Sequence, residues 1–330
     1  MSHKPRQFDS PLASGIRAFV AHKRSLGLRY DGQEKLFVLL DRYLVEQGIT
    51  RLSNITPEVL DGFLASRPRA PRSHNILLAA VRKLFHWLVL HEYIVTSPVR
   101  SEPMRCSAAL RPYLFDKTQI RSLLDAAVRL PDNSRAPMRG DIYEMIFALL
   151  YALGLRVGEV TRLRRSDIDF EHKLLVIRQS KFGKSRLVPF GPRVEEKLQR
   201  FLNNCECRLG MHEPEHAVFS FSRDRRCPVS TTTVSWIFHK LVLELEIKTP
   251  PGVGSPHLHC LRHSFAVATL LRWYREDIDP AERLLYLSAF LGHVNPTSTA
   301  VYLTITDELL QAASKRFEQF AAPALEGARS

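Results

Sequence analysis

The chain has 330 residues, 45% of them hydrophobic, and carries a formal net charge of +13 at pH 7 with a sequence pI near 9.8. This composition excludes a disordered or fibrous protein, and the length is sufficient for two domains with a sizeable core. The longest apolar run, residues 145–155, is well short of the roughly 18 residues that indicate a membrane span. Residues 1–10 lack the apolar core of a signal peptide, so we expect a cytoplasmic protein.

The excess positive charge is concentrated in the first third of the chain. Residues 1–112 hold 17 basic and 9 acidic side chains, a difference of +8, which leaves +5 for residues 113–330. An excess of this kind favours a polyanionic partner, because neutralised phosphates release condensed counterions. We therefore expect nucleic acid as the partner, the alternative being a surface that is charged for solubility.

The five cysteines form an odd and scattered set, which argues against the disulfide framework of a secreted protein. Cys205 and Cys207 could be arranged with His212 and His216 as four zinc ligands. The single residue between the two cysteines is a tighter gap than structural zinc sites have. We therefore expect a reduced chain that holds no metal.

Four amphipathic helices are predicted in the first hundred residues, because apolar side chains recur there at helical spacing. Gly27 ends the first helix, and Pro57 is placed to begin the third. The four helices are predicted at residues 11–26, 31–47, 57–66 and 73–88. Short links between amphipathic helices predict a small helical bundle.

Basic residues cluster around the link before the fourth helix and along that helix. Such a cluster is usually a solvated face, but the same side chains also suit contacts with phosphates. We take them as candidate DNA-binding residues. They are Arg67, Arg69, Arg72, Arg82 and Lys83.

A proline-containing stretch without a clear period separates this bundle from the rest of the chain, which is typical of a linker. We predict an N-terminal helical domain at 1–100, a linker at 101–115, a second domain at 116–308 and a C-terminal helix and tail at 309–330. Within the second domain, helices are predicted at 116–129, 140–153, 156–163, 192–203 and 231–247, and two strands at 174–178 and 186–190 form a hairpin.

Reactive side chains stand at fixed places in the second domain. Arg156 follows Gly154, which can cap the preceding apolar helix and let a new one start at the arginine. Lys181 and Lys184 lie at the tip of the predicted hairpin. A lysine on a mobile loop can reach into a site as a proton donor.

A second group of reactive residues follows near the end of this domain. His259 and Arg262 are three residues apart, which places both on one face at a helix start. His293 follows Gly292 and precedes Tyr302 by nine residues. A phenol beside imidazoles and a guanidinium suits one chemistry, in which a tyrosine hydroxyl attacks a phosphodiester and cationic donors hold the developing negative charge.

Taken in order, these pieces resemble the motifs of the tyrosine recombinase (phage integrase) family. The pieces are Arg156 in LGLRVGE, Lys181 in SKFGKSR, HCLRH from His259, LGH ending at His293, and Tyr302. The resemblance covers residues 113–310. It implies a mainly α fold with a small β-sheet, in which a SAM-like core-binding domain precedes an α+β catalytic domain. Within the family, the long helical segment before His293 resembles integrases encoded by transposable elements.

The resemblance implies a role for each reactive residue, beginning with Tyr302 as the nucleophile that leaves a 3′-phosphotyrosyl link and a free 5′-hydroxyl. Tyr286 is the weaker candidate, because its spacing predicts a core position. Arg156 and Arg262 are expected to clamp the non-bridging phosphate oxygens, since a planar guanidinium matches phosphate geometry and stays charged.

The remaining roles concern protons. His259 is expected to help deprotonate the tyrosine or to bind the phosphate, and His293 to donate to the same oxyanion. Lys181 is the expected general acid for the 5′-oxygen, with Lys184 as the alternative. Glu159 is expected to orient a neighbour, whereas His257 and His263 are expected to be structural.

Cofactors and partners follow from the same resemblance. The cationic side chains supply the charge stabilisation that a metal would give, so we expect no metal, ATP or other cofactor. Strand exchange between two duplexes implies a homotetramer on double-stranded DNA, with other recombinases of the same element as further partners. The C-terminal helix is the candidate for docking on a neighbouring protomer.

Two alternatives stay open. A type IB topoisomerase uses similar chemistry but religates the same strand as a monomer. An accessory member of a multi-recombinase element would bind DNA and seldom use its active site.

Overall fold

The computed structural model describes residues 7–108, 110–178, 185–211, 213–222, 224–293, 295, 297–304, 309, 311 and 314. The chain divides into two compact units, residues 1–109 and 110–330, and the division falls within the stretch predicted as the linker. Every helix in these described ranges is too short or too polar to cross a bilayer.

The first unit is a bundle of four α-helices around one hydrophobic core. The helices are α1 (Ala13–Ser25), α2 (Asp31–Glu46), α3 (Pro57–Ala65) and α4 (Pro71–Leu90). Pro57 and Pro71 each stand in the first turn of a helix, where the missing N–H costs no intrahelical hydrogen bond. Aromatic rings join the helices across the core, since Phe19 of α1 contacts Phe37 of α2 and Trp87 of α4.

An apolar residue of α4 lies outside this core. Ile76 belongs to the apolar pattern that predicts α4, but its side chain is 58% exposed. The neighbouring Leu77 and Leu78, together with Leu84 and Leu88, already fill the buried face of α4. Ile76 therefore lies on the solvent side of the helix.

The second unit combines eight α-helices of the described residues with a three-stranded sheet. The helices are α5 (Lys117–Val128), α6 (Arg139–Ala152), α7 (Val157–Thr161), α8 (Pro192–Leu209), α9 (Thr231–Glu244), α10 (Leu258–Arg275), α11 (Pro280–Leu291) and α12 (Thr297–Ala300). A 3-10 helix, Val301–Thr304, follows α12 directly and carries Tyr302. Thus the described part of this chain is mainly α with one small sheet, as the sequence predicts.

The sheet is antiparallel, in the order β1 (Ile168–Asp169), β2 (Leu174–Ile177) and β3 (Arg186–Pro189). Ile177 pairs with Arg186 at the end of the β2–β3 ladder that faces the connecting loop. Leu175, Ile177 and Val188 are buried, whereas Leu187 is 58% exposed, so one face of the hairpin packs on the core. The predicted tip residues Lys181 and Lys184 lie outside the described residues.

Two hydrophobic clusters hold the second unit together. The larger one surrounds α6, which is apolar on nearly all sides and is accordingly buried. The smaller one joins α10, α11 and the end of the described chain. Its buried members are Ala266, Val267, Leu270, Trp273, Leu287, Leu291, Tyr302 and Leu309. The candidate nucleophile is therefore part of a packed core, and Leu309, predicted to begin the separate tail, packs with it.

Tyr286, whose spacing predicts a core position, is 73% exposed, because Leu287 and Leu291 form the buried face of α11. That prediction is wrong.

Cys205 and Cys207 both lie on α8, but the first is buried and the second is exposed, so the two thiols occupy different faces of the helix. His212 lies outside the described residues.

Candidate active site

Arg156 is placed by a sharp turn between α6 and α7. Gly154 has a φ of +57°, and a Cβ added there would lie 2.5 Å from the Phe265 ring. Only glycine combines that backbone conformation with so close a neighbour. Arg156 is the N-cap residue of α7, and its backbone N–H donates to Glu159 at 2.9 Å. The turn thereby directs the Arg156 side chain toward the turn that carries His293.

Glu159 holds two guanidinium groups. Its buried carboxylate accepts from Nη1 of Arg156 at 2.8 Å and from both terminal nitrogens of Arg186 at 2.8 and 2.9 Å. Arg186 also donates through Nε to the carbonyl of Phe290 at 2.9 Å. Arg156 donates to the carbonyl of Gly292 at 3.0 Å. This network ties together α7, the start of β3 and the C-terminal end of α11.

Arg262 is the most deeply placed of the site's cations. It is fully buried and donates to the carbonyls of Gly154 and Leu291, both at 2.6 Å. Burial, followed by repulsion from Arg156, lowers the pKa of Arg262 to about 10, which still leaves the guanidinium charged at neutral pH. Within the described part of the chain, no hydrogen-bond partner stands beside its Nε.

His293 follows Gly292, whose φ of +67° ends α11. Its Nε2 lies 2.9 Å from a terminal nitrogen of Arg262, and its Nδ1 lies 2.7 Å from the hydroxyl of Thr299. Because Arg262 can only donate, Nε2 is the acceptor, and the neutral ring then carries its proton on Nδ1 and donates it to Thr299. Burial, with repulsion from Arg262 and Arg156, lowers the pKa of His293 to about 4.

Tyr302 is 3% exposed, and its hydroxyl lies 2.9 Å from Nδ1 of His263. Its ring lies nearly parallel to that of His293, with 6.4 Å between centroids. Burial raises the pKa of Tyr302, while the charges of Arg262 and Arg156 act in the opposite direction. The phenol is therefore neutral at rest and close to cations that would stabilise its anion.

The N-cap and the first two turns of α10 carry His257, His259 and His263. The ring of His259 packs edge-to-face on that of His263, with 4.6 Å between centroids. Burial and the charges of nearby histidines and arginines lower the pKa of His259 to about 3, although its exposed edge lets water screen part of that effect. His257, the N-cap residue, lies 3.1 Å from Sγ of Cys260, and this hydrogen bond raises the pKa of His257 to about 9.

The structure thus brings five of the six predicted catalytic residues into one part of the second unit. These five are Arg156, His259, Arg262, His293 and Tyr302, and the sixth, Lys181, lies outside the described residues. Three guanidinium groups, from Arg156, Arg186 and Arg262, surround neutral imidazoles and a phenol. Such a concentration of positive charge suits an anionic ligand and a reaction that develops negative charge.

For three residues of this site, the sequence predicts no catalytic role. Arg186 and Thr299 contact groups that are distant in sequence or on another element, so no local pattern points to them. His263 was predictable, because it lies four residues after His259 and hence on the same helical face. The sequence predicts a structural role for His263, and the structure places its Nδ1 2.9 Å from the Tyr302 hydroxyl.

The candidate DNA-binding residues of the first unit differ in their surroundings. Arg67, Arg72 and Lys83 are exposed. Arg82 donates to the carbonyl of Ser101 and pairs with Glu102 at 3.2 Å. Arg69 donates to the carbonyls of Leu64 and Arg67 and lies over the ring of Phe63. The cluster therefore contains solvated cations and cations engaged by the protein.

Comparison with known proteins identifies similar chains. The sequence model of the phage integrase family matches residues 114–308. The y4rB protein of Sinorhizobium fredii, named as an integrase/recombinase, is 31% identical over 322 residues, which cover 94% of this chain and 98% of that protein. The tyrosine recombinase XerC of Pediococcus pentosaceus is 27% identical over 256 residues, covering 77% of this chain and 78% of its own. A lambda integrase tetramer bound to a Holliday junction has a similar fold, with a TM-score of 0.60, 19% sequence identity and coverage of 90% of this chain and 78% of that one.

Proposed function

Because the chain belongs to the phage integrase family and is a tyrosine recombinase that breaks and rejoins DNA, we propose that Tyr302 is its nucleophile. The phenolic oxygen attacks the scissile phosphorus, a 3′-phosphotyrosyl bond forms, and the 5′-oxygen leaves with a proton. The observation that carries this proposal is the Tyr302 hydroxyl, buried beside His263 and within the field of Arg262 and Arg156.

Arg156 and Arg262 bind the non-bridging oxygens of that phosphate. The buried charge of Arg262 supports this role, because a guanidinium removed from water requires an anionic partner or a full set of acceptors. Three of its bonds are to protein groups, and its Nε has no partner in the described part of the chain. A phosphate oxygen would complete the set.

His259 and His293 act at the same phosphate. His259 helps to deprotonate the tyrosine or binds the phosphate, and His293 donates a hydrogen bond to the oxyanion. At rest His293 offers no donor toward Arg262, since its Nε2 is an acceptor. An entering phosphate would raise the pKa of His293, because a nearby negative charge favours the imidazolium. The protonated ring then donates from both nitrogens, and one of them is available to the oxyanion. Binding of the phosphate therefore converts His293 into a hydrogen-bond donor for a phosphate oxygen.

Lys181 is the proposed general acid for the 5′-oxygen, and Lys184 is the alternative. Both belong to the loop between β2 and β3, outside the described residues. Arg186, the first residue of β3, is fixed to Glu159 and to the end of α11. This anchor supports placement of the loop beside the site.

The proposed reaction needs neither a metal ion nor ATP. Arginine, histidine and lysine side chains supply the charge stabilisation at the phosphate. The phosphodiester energy is kept in the phosphotyrosine and is returned when a 5′-hydroxyl of another duplex attacks it. The reaction is thus a transfer between DNA strands with no net hydrolysis.

We further propose that the protein acts as a homotetramer on two DNA duplexes, in the cytoplasm, for a mobile element. The lambda integrase named above is a tetramer on a Holliday junction. The similarity to y4rB, named as an integrase/recombinase, extends over 94% of this chain and supports a role in DNA integration. In this proposal residues 1–100 form the domain that binds DNA, and residues 101–115 link this domain to the catalytic domain. The tail beyond Leu309 docks on a neighbouring protomer. Other recombinases of the element are proposed as further partners.

Trapping of the covalent intermediate tests the proposed chemistry. Nicked duplexes that tile the DNA flanking the gene would be incubated with the protein in EDTA, followed by SDS electrophoresis. We expect an SDS-resistant adduct with the wild-type protein, none with Tyr302→Phe, and an unchanged amount with Tyr286→Phe. The last variant is a matched control, because Tyr286 is an exposed tyrosine of the neighbouring helix.

Other outcomes would contradict the proposal. An adduct that forms only with Mg²⁺ would exclude the metal-free mechanism. DNA binding without any adduct would favour the accessory DNA-binding role. Relaxation of supercoiled plasmid without site preference would favour a topoisomerase.

A further inference from the structure

The Tyr302 hydroxyl has a histidine neighbour that the expected catalytic set does not include. Nδ1 of His263 lies 2.9 Å from the phenolic oxygen, and the two ring centroids are 5.4 Å apart. This distance falls within the range required of a base that abstracts a proton directly. His263 lies on α10, one helical turn after His259 and next to Arg262.

We propose that His263 is a further catalytic residue, the acceptor of the phenolic proton when Tyr302 attacks the scissile phosphate. This inference rests on the proposed nucleophilic role of Tyr302. It differs from the sequence-based expectation, which gives the proton to His259 and leaves His263 a structural role.

The surroundings of His293 exclude it as a resting acceptor. Its Nε2 accepts from Arg262 at 2.9 Å, and its Nδ1 faces the hydroxyl of Thr299 at 2.7 Å. Both ring nitrogens are therefore engaged before DNA arrives. Nδ1 of His263, in contrast, lies 2.9 Å from the phenolic oxygen, and it accepts the phenolic proton when the neutral ring carries its own proton on Nε2.

The proposed step balances as follows. The O–H bond of Tyr302 breaks and its proton goes to Nδ1 of His263, while the phenolic oxygen forms a bond to phosphorus. The P–O5′ bond breaks, and the 5′-oxygen takes a proton from the lysine proposed as general acid. When a 5′-hydroxyl attacks the phosphotyrosine, the same transfers run in reverse and His263 returns its proton to Tyr302.

Several charged and titratable groups face His263. They are His257, His259 and Arg262 of α10, His293 after α11, and Tyr302. Burial, followed by repulsion from His257 and Arg262, lowers the pKa of His263 to about 4, so its ring is neutral and able to accept at physiological pH. The imidazolium formed by the transfer is unfavourable beside Arg262 unless an anion is near. A bound phosphate supplies that anion, which couples deprotonation of the tyrosine to DNA binding.

Single-turnover cleavage by the full-length protein tests the inference. Wild-type protein, His263→Asn and His263→Leu would be compared on the nicked duplexes that give the Tyr302 adduct, from pH 5 to pH 9. Asparagine keeps a hydrogen-bonding group near the position of Nδ1 but cannot accept the proton. We expect both variants to cleave about 100-fold more slowly than wild type at pH 7 and to regain rate as pH rises. His239→Asn is the matched control, and its rate should remain within about threefold of wild type because His239 is an exposed histidine of α9.

A second substrate separates the two proton transfers. A duplex with sulfur in place of the bridging 5′-oxygen has a leaving group that needs no proton. We expect the His263 variants to stay slow on this duplex, because the nucleophile still has to lose its proton. Melting temperature and DNA affinity would be measured for each variant, so that a folding defect is recognised.

The outcomes distinguish the inference from the proposed function. Absence of an adduct with wild-type protein would overturn both. A normal Tyr302 adduct together with a wild-type rate for a folded His263→Asn would overturn the inference alone. Full rescue of His263→Asn by the sulfur-containing duplex would also overturn it, since the defect would then lie at the leaving group.

Discussion

At the scale of single residues, Glu159 is the one acidic group of the described site that joins two of its arginines. Its side chain is 2% exposed and accepts from both Arg156 and Arg186. Removing one partner of a buried ionic network leaves the others uncompensated, which costs far more than the net value of the pair. The carboxylate thus matters more for keeping two guanidinium groups in place than for any chemistry of its own.

Replacement of Glu159 by glutamine tests this role. We expect Glu159→Gln to lower the free energy of unfolding by about 3 kcal/mol, because the buried carboxylate no longer neutralises the two partly buried guanidinium groups of Arg156 and Arg186. Urea denaturation would measure the loss. Glu196→Gln is the matched control, since Glu196 pairs with Arg200 on an exposed face of α8, and its effect should stay within about 0.5 kcal/mol. Equal losses in the two variants would contradict the prediction.

The pKa values of the site's histidines predict how the free energy of unfolding depends on pH. The pKa of His263 and of His293 is about 4 in the folded chain, below the 6.5 of an ordinary imidazole. Between these values the unfolded chain binds more protons, so stability that is fully present above pH 6.5 is lost as pH falls toward 4. His257, with its raised pKa of about 9, has the opposite sign and contributes its full stability throughout that window.

Urea denaturation at pH 7, 6 and 5 would measure this dependence. We expect His263 and His293 each to contribute a loss of up to about 1 kcal/mol per pH unit, reduced where water screens the ring. His259, whose pKa is also lowered, adds a smaller loss of the same sign because it is exposed to water. His293→Gln keeps an acceptor for Arg262 but cannot be protonated, so its stability should fall less steeply with acid. An unchanged slope in that variant would show that His293 is not a source of the pH dependence.

At the scale of secondary-structure elements, Arg186 fixes one end of the β2–β3 hairpin to the site. Its three donor nitrogens all bind, two to Glu159 and one to the carbonyl of Phe290. The other end of the hairpin loop begins at Arg178, which pairs with Asp167 and is 54% exposed. Arg178 and Arg186 therefore stand at the two ends of the same loop, but Arg186 is largely buried and Arg178 is exposed.

Replacement of Arg186 by lysine should disturb the placement of that loop. A lysine ammonium cannot donate two parallel hydrogen bonds to Glu159 and a third to the carbonyl of Phe290, as the planar guanidinium of Arg186 does. We therefore expect Arg186→Lys to slow single-turnover cleavage by about 10- to 100-fold. If the defect acts through the lysine of the loop, a duplex with a 5′-bridging sulfur should restore most of the rate. Arg178→Lys is the matched control and should stay within about threefold of wild type. Failure of the sulfur duplex to restore the rate would contradict a role through the general acid.

Sequence patterns predict the elements well where the determinants are local. Gly154 and Gly292 end helices where their positive φ values are found, and α5 begins after Asp116, whose side chain caps it. Patterns fail where packing among distant segments decides. Tyr286 has core-like spacing but faces solvent, and the bonds of Arg186 join residues that lie 27 and 104 positions away. The expected catalytic roles stay predictions, because geometry places the groups together without showing the reaction.

At the scale of the whole molecule, charge and chemistry are divided between the two units. The first 112 residues carry a net +8, while the expected catalytic residues all belong to the second unit. Within the basic cluster of the first unit, Arg72 and Lys83 are exposed, whereas Arg82 is paired with Glu102. A cation that is already neutralised by a carboxylate releases fewer counterions on binding DNA than a solvated one.

The salt dependence of DNA binding should therefore separate these residues. The logarithm of the binding constant falls with the logarithm of salt concentration by about 0.9 for each phosphate neutralised. We expect Arg72→Ala and Lys83→Ala each to reduce that slope by about 1 without changing the preference among duplexes, and Arg82→Ala to reduce it by less. Fluorescence anisotropy on one duplex between 50 and 300 mM NaCl would measure the slopes. Arg200→Ala serves as the control, because Arg200 is a paired surface arginine of the other unit. An unchanged slope for both Arg72→Ala and Lys83→Ala would mean that this cluster is a solvated face, and the phosphate contacts would have to be sought elsewhere on the chain.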